Sequence, residues 1–213
     1  NSIFESMSGI TTTGSSVIQN VEALTEGMLI WRGLLQWMGG IGIIVMAVSI
    51  LPVLRVGGMQ VFRMESSDTT DKILPRTTQI ASAIIIIYLV LTLICLIAYW
   101  LGGMNFFDAL VHSMTTIATG GFSTQNNSFA SFNNNSLEYT AIIFMILSSL
   151  PILIYLEIFK DGLRKLILDT QIVTFLAIIL FSSLLVIVYL WVMDIKNIEE
   201  AIRSGSFNVI SII

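Results

Sequence analysis

The chain has 213 residues, 55% of them hydrophobic and 11% charged, with a mean hydropathy of +0.87; a soluble globular domain carries about 25% charged residues. That composition excludes a soluble enzyme domain, and a net charge of −4 without a basic stripe excludes a nucleic-acid binder, which must neutralise phosphates. The length suits one domain, and the single cysteine, Cys95, lies in an apolar run, where it reads as a small buried hydrophobe. The chain opens on Asn1-Ser2 and stops on Ile212-Ile213 inside an apolar pattern, so a fragment of a longer protein is expected, with targeting carried by its membrane segments.

Four segments approach the roughly 20 apolar residues that a bilayer crossing needs. Residues 1–53 hold a short half-apolar stretch, the run Thr11-Thr12-Thr13-Gly14, and a crossing from Met28 to Val53. A connection over 54–77 follows, with Arg55, Arg63, Lys72 and Arg76. Residues 78–159 hold a crossing from Thr78 to Leu101, a short amphipathic stretch and polar loop within 105–127, and a crossing from Leu137 to Phe159. Around Ile84-Ile85-Ile86-Ile87 this unit has no polar face to offer water. A second basic connection over 160–170 carries Lys160, Arg164 and Lys165, and residues 171–213 hold a crossing from Gln171 to Met193 and the start of another short helix.

Short loops rich in Lys and Arg stay on the cytoplasmic side, which places both basic connections there. The opposite face has Arg32, Lys196 and Arg203 against Glu5, Glu22, Glu26, Asp108, Glu138, Asp194, Glu199 and Glu200, an acidic surplus that would attract cations. The segment over 105–127 is too short and polar to span, yet its flanking crossings must end on the same side. A re-entrant half-helix satisfies both conditions, and irregular backbone at membrane depth is tolerated only inside protein or along a water-filled path.

The pattern recurs. Setting Gly14 on Gly120 without gaps places Thr13 on Thr119, and Phe207 to Ile213 matches Phe4 to Ile10 as the opening of a third copy. Thr78-Gln79-Ile80 likewise agrees with Thr170-Gln171-Ile172, and Tyr99-Trp100 with Leu190-Trp191. Internal repetition decides architecture before any single motif. The expected fold is an all-α membrane protein of repeated helix, re-entrant pore loop, helix units placed pseudo-symmetrically around a cation pore. Backbone carbonyls can replace the hydration shell of a monovalent cation without the deep trap a carboxylate makes, and a half-helix turns the negative end of its dipole toward the ion. The candidate oxygens lie in the two Thr-Gly loops, Thr11 to Gly14 and Thr115 to Gly121.

These loops, together with Arg32-Gly33-Leu34-Leu35-Gln36-Trp37-Met38-Gly39-Gly40-Ile41-Gly42 and Val56-Gly57-Gly58-Met59-Gln60, resemble the membrane subunit of the Trk/Ktr/HKT potassium-transport superfamily, its bacterial TrkH type above all, over essentially the whole chain. The resemblance implies potassium uptake through four pore-loop repeats and a homodimer in the cell inner membrane. It also implies a cytosolic TrkA-type nucleotide-binding regulatory subunit, with potassium as transported substrate and no cofactor. It puts the filter glycines on Gly14 and Gly120, with Thr12, Thr13, Ala118 and Thr119 as the neighbouring ion-binding positions; related plant transporters with serine in place of a filter glycine favour sodium, so glycine at both leans toward potassium. The family's opening helices, its third and fourth filters and its gate lie outside this sequence.

Several residues carry two readings. Gly39, Gly40 and Gly42 form a close-packing face or touch the ion; Pro151 kinks its helix or acts as a hinge; His112 is a hydrogen-bonded packing residue or a pH sensor. Asp108 and Glu138 enrich cations at the mouth or are solvated loop charges, and Arg32 snorkels to headgroups or braces a pore loop. An enzyme is not expected, since the one His has no metal-ligand or nucleophile-base partners. The alternative class is a secondary solute transporter with broken helices, which would pair inverted halves rather than repeat one orientation.

Overall fold

The computed structural model describes residues 1–54, 77–132, 134–151, 154–155, 158, 162 and 169–212; for residues 44–45, 47–54 and 77–80 it describes the backbone alone. Seven α-helices are present among the described residues: α1 (Ser2–Ile10), α2 (Glu26–Leu54), α3 (Thr77–Leu101), α4 (Phe106–Ile117), α5 (Asn135–Ser149), α6 (Thr170–Val192) and α7 (Ile198–Ser211). Short 3-10 turns cover Val21–Ala23 and Ser128–Phe132, and no strand occurs among these residues. The basic residues assigned to the cytoplasmic side (Arg55, Arg63, Lys72, Arg76, Lys160, Arg164 and Lys165) and the Val56 to Gln60 motif lie outside the described residues.

Length sorts the helices. Among the described residues, Ala81–Leu101 and Thr170–Val192 are long and apolar enough to cross a membrane. By contrast α4, with 12 residues, rises only about 18 Å, about three-fifths of the roughly 30 Å a crossing requires. Local chemistry sets where they begin. Asn105 caps α4 by accepting the Asp108 N–H, Asn134 caps α5 through Ser136 N–H, and Asp169 caps α6 through the Gln171 and Ile172 N–H groups.

One expected crossing is interrupted. The sequence pattern runs apolar from Leu137 to Phe159, but α5 stops at Ser149, and Leu150 is extended, with φ −69° and ψ 147°. Pro151 is the cause: its ring disfavours helical backbone at the preceding residue and it supplies no N–H. A full break stands there, not a kink.

α4 is the centre of the packing, with α2, α3 and α5 against it, while α1 lies on α2, and α7 lies between α5 and α6. Its buried neighbours are Tyr88, Cys95 and Tyr99 from α3 and Leu137, Ala141 and Phe144 from α5. Tyr99 is fully buried and satisfies its hydroxyl on Thr116 Oγ1 at 2.9 Å; Trp37 of α2 donates its indole N–H to Thr92 Oγ1 at 3.1 Å. Cys95 is buried, as its apolar setting indicates.

The α1–α2 seam depends on a buried ion pair and a missing side chain. Arg32 meets Glu5 at 3.1 Å, donates to Ser16 Oγ at 3.1 Å and stacks 4.1 Å from the centroid of Phe122. Glu5 also accepts from Ser16 Oγ at 2.8 Å and Val17 N–H at 2.6 Å. Arg32 therefore braces a loop and does not snorkel, being 7% exposed. One helical turn pair further on, a Cβ at Gly39 would lie 2.0 Å from the Ile10 carbonyl oxygen, and one at Gly40 would lie 3.2 Å from Ala118 Cα. Gly39 and Gly40 thus let α2 touch the backbone at the ends of α1 and α4, whereas Gly42 has nothing within 4 Å.

Two consequences follow for stability, both measurable by thermal unfolding in detergent. Arg32→Ala leaves Glu5 buried without its cation and should destabilise by about 3–5 kcal/mol, with Arg32→Met/Glu5→Gln recovering most of the loss. Gly39→Ala should cost about 1–3 kcal/mol, because the Ile10 backbone, not a flexible side chain, stands in the way.

Candidate cation site

Both short helices end in the same way. After α1, Thr12 N–H bonds to Gly9 O and Thr13 N–H to Ser8 O, each at 3.0 Å; after α4, Thr119 N–H bonds to Thr116 O at 3.0 Å and Gly120 N–H to Thr115 O at 2.9 Å. This is the paired 5→2 and 6→1 closure of a helix C-terminus, usually built on glycine in the left-handed region. Here a threonine holds that position in both copies, Thr12 at φ +54° and Thr119 at φ +52°. A β-branched residue pays sterically for such a backbone, so the surrounding contacts must enforce it.

The matched turns shift the repeat by one residue from the ungapped sequence alignment. Thr12 corresponds to Thr119, Thr13 to Gly120, and Gly14 at φ +77° to Gly121 at φ +79°. A second feature agrees. Glu5 Oε1 bonds Ser16 Oγ at 2.8 Å and His112 Nε2 bonds Ser123 Oγ at 3.0 Å, each pair eleven residues apart. The shared Thr-Gly dipeptide drew the alignment to Gly120; the left-handed threonine, invisible in composition, sets the true register.

The six sequence-identified residues divide between two cavities, each of about 380 Å³. Thr13, Gly14 and Gly120 line the first, Thr12 and Ala118 line the second, and Thr119 lines both. The first cavity also takes Thr115 and Thr116 from the last turn of α4 and Ile210 and Ser211 from the last turn of α7. Thus α4 and α7 bring their C-terminal turns, and α1 the residues just past its own, to one space. The second cavity is walled by the broken end of α5, from Ser148 to Pro151. Among the described residues no group of three or more His, Cys, Asp or Glu could hold a metal ion, so the oxygens on offer in the first cavity are carbonyls and hydroxyls.

Charges assigned to the outer mouth are engaged in holding structure. Asp108 is buried and accepts from Thr124 Oγ1 and Asn105 Nδ2, tying the start of α4 to the loop beyond Gly121. Glu138 pairs with Arg203 at 2.6 Å, joining α5 to α7. Neither is a free charge at a mouth. His112 takes the packing role: its Nδ1–H donates to the Asp108 carbonyl at 2.8 Å, since a carbonyl only accepts, leaving Nε2 to receive the Ser123 hydroxyl. Its ring also meets Phe129 and Phe132 edge-on, both at 5.3 Å. Asn126 links the two loops at the rim, accepting Val21 N–H at 2.7 Å and donating its own N–H to Glu22 at 3.0 Å.

Two residues escaped the sequence reading. Gly121 is the backbone equivalent of Gly14, and the paired spacing of Glu5 to Ser16 and His112 to Ser123 is the signal that points to it. Gln36 is fully buried on α2, donating to Gly120 O at 2.7 Å and accepting Phe122 N–H at 3.1 Å. An amide inside the apolar run Leu34-Leu35-Gln36-Trp37 is itself a signal, because a polar group at membrane depth requires partners.

Comparison with known proteins gives a consistent result. The model of the TrkH family, described as cation transport protein, matches residues 1–202. The Trk system potassium uptake protein TrkI of Halomonas elongata is 42% identical over 217 residues, covering 100% of this chain and 43% of that protein. The TrkH protein of Vibrio parahaemolyticus is 43% identical over 164 residues, 76% of this chain and 34% of that protein. The crystal structure of the potassium transporter TrkH from Vibrio parahaemolyticus superposes with a TM-score of 0.86 at 35% identity, covering 98% of this chain and 42% of that one. The chain therefore spans less than half the length of the curated relatives it matches. With a family model over most of its residues and a helical structure that follows the solved one, the chain belongs to the TrkH family of cation transport proteins.

Proposed function

We propose that this chain contributes to a potassium-uptake pathway in the cell inner membrane, the two Thr-Gly loops forming part of a selectivity filter. The observation that carries the reading is the convergence of two left-handed threonine turns and the last turn of α7 on one cavity. The negative ends of helix dipoles and several neutral oxygens gather there without a carboxylate, the arrangement that favours a partly dehydrated monovalent cation. Membership in the TrkH family and relatives named as Trk system potassium uptake proteins support potassium as the substrate.

In this reading residues 1–53, 78–159 and 171–213 are parts of three helix, re-entrant loop, helix units, joined by cytoplasmic connections over 54–77 and 160–170. Thr12, Thr13, Gly14, Ala118, Thr119 and Gly120 are ion-binding positions, to which the backbone register adds Gly121. Thr119 lines both cavities. The complete transporter is a homodimer that works with a cytosolic TrkA-type nucleotide-binding subunit, as the family resemblance implies. The mechanism is coordination: the ion exchanges water for carbonyl and hydroxyl oxygens, and no bond is made or broken.

Gly121 provides the direct test, because a Cβ there meets nothing within 4 Å and the residue lines the proposed cation cavity. Gly121→Ser should fold with a penalty of about 1–2 kcal/mol for its positive φ and should lower the ratio of potassium to sodium flux when the full-length gene product is reconstituted in liposomes. An unchanged ratio in correctly assembled protein would remove the loop from the selectivity filter.

A further inference from the structure

We propose that Gln36 is a positioning residue for cation selectivity, its side-chain amide fixing the peptide planes of the second loop from behind. The inference rests on the reading of the loops as a cation path and adds to it a residue that does not touch the ion. Gln36 stands on α2, the long helix that follows the first loop, yet it serves the second. Its Nε2–H donates to Gly120 O at 2.7 Å while its Oε1 accepts Phe122 N–H at 3.1 Å. One planar group therefore spans the two peptide groups that flank Gly121 and sets their relative rotation.

The grip is close on both sides. A Cβ at Gly120 would lie 2.4 Å from Gln36 Cδ, and a Cβ at Gly14 would lie 2.1 Å from Gly120 O. The Gly120 carbonyl is thus held between the first loop and the Gln36 amide, and its direction is not free to follow whichever ion is present. Discrimination between cations that differ in size requires oxygens whose spacing does not adapt to the smaller one. Gly121, with φ +79° and nothing within 4 Å of an added Cβ, has no side-chain restraint of its own. The constraint must come from its neighbours, and Gln36 bonds both. The amide is fully buried, so its removal leaves the Gly120 carbonyl and the Phe122 N–H without that partner.

The test uses potassium and sodium flux through the full-length gene product in liposomes, with the amount of assembled protein measured in parallel. Gln36→Met and Gln36→Leu both remove the two hydrogen bonds without adding a charge, the first keeping length and the second changing shape. Loss of a buried hydrogen-bonding partner corresponds to about a tenfold effect, so Gln36→Met and Gln36→Leu should each lower the potassium-to-sodium ratio about tenfold at normal protein amount. Wild-type selectivity in assembled Gln36→Met overturns the proposal. Should Gln36→Met fail to assemble, Gln36→Leu decides: an unchanged ratio overturns the proposal, and a lowered one supports it. Failure of both to assemble gives Gln36 a purely structural role and overturns it too. Absence of selective alkali-cation flux in the unaltered protein sinks the cation-path reading itself, a result separable from any variant.

Discussion

A carbonyl oxygen can act as a selective ligand only when the backbone that carries it is held in place, and the two loops of this chain adopt a backbone that sequence alone disfavours. Threonine in the left-handed region is strained, and it stands there twice, at Thr12 and Thr119. What keeps it is a set of buried and part-buried polar contacts. Behind the first loop these are Glu5, Ser16 and Arg32; behind the second they are His112, Ser123, Asp108 and Gln36. The helix ends supply the electrostatics, and these side chains supply the rigidity.

The two loops solve the same problem with different chemistry. Glu5 and His112 occupy equivalent places and each reaches a serine eleven residues on, but one is an anion that needs Arg32 and the other a neutral ring seated between Phe129 and Phe132. An anion behind the first loop requires a cation close by, which is why Arg32 is drawn into the core. Geometry is repeated where it bears on the cavity and is free to diverge behind it. Divergence of this kind fits a single chain, in which each copy has its own neighbours.

Much of the architecture was legible in the sequence because apolar length is a strong signal. The helices α2, α3 and α6 cover the expected apolar segments within two residues, and the short α4 falls where a half-helix was expected. The matching closures at Gly102–Met104 and Met193–Ile195 follow the sequence likeness of Tyr99-Trp100 to Leu190-Trp191. Three things were not legible. That α5 ends outright before Pro151, where the sequence offered a kink or a hinge, rests on the extended backbone of Leu150, which composition does not show. The one-residue register shift depends on a backbone angle, which composition does not encode. The fate of Arg32, Asp108 and Glu138 depends on tertiary partners far along the chain, so charges that look solvated in sequence prove to be paired or buried.

The central claim is that the cavity bounded by Thr13, Gly14, Thr119, Gly120 and Gly121 is where a monovalent cation sheds its water. Anomalous diffraction from crystals of the full-length gene product soaked in thallium, a heavy stand-in for potassium, tests it most directly. The account predicts a peak inside that cavity, bounded by backbone oxygens of both loops and lost on exchange into sodium. A peak confined to the outer charged residues, with this cavity empty in a well-ordered crystal, would contradict it.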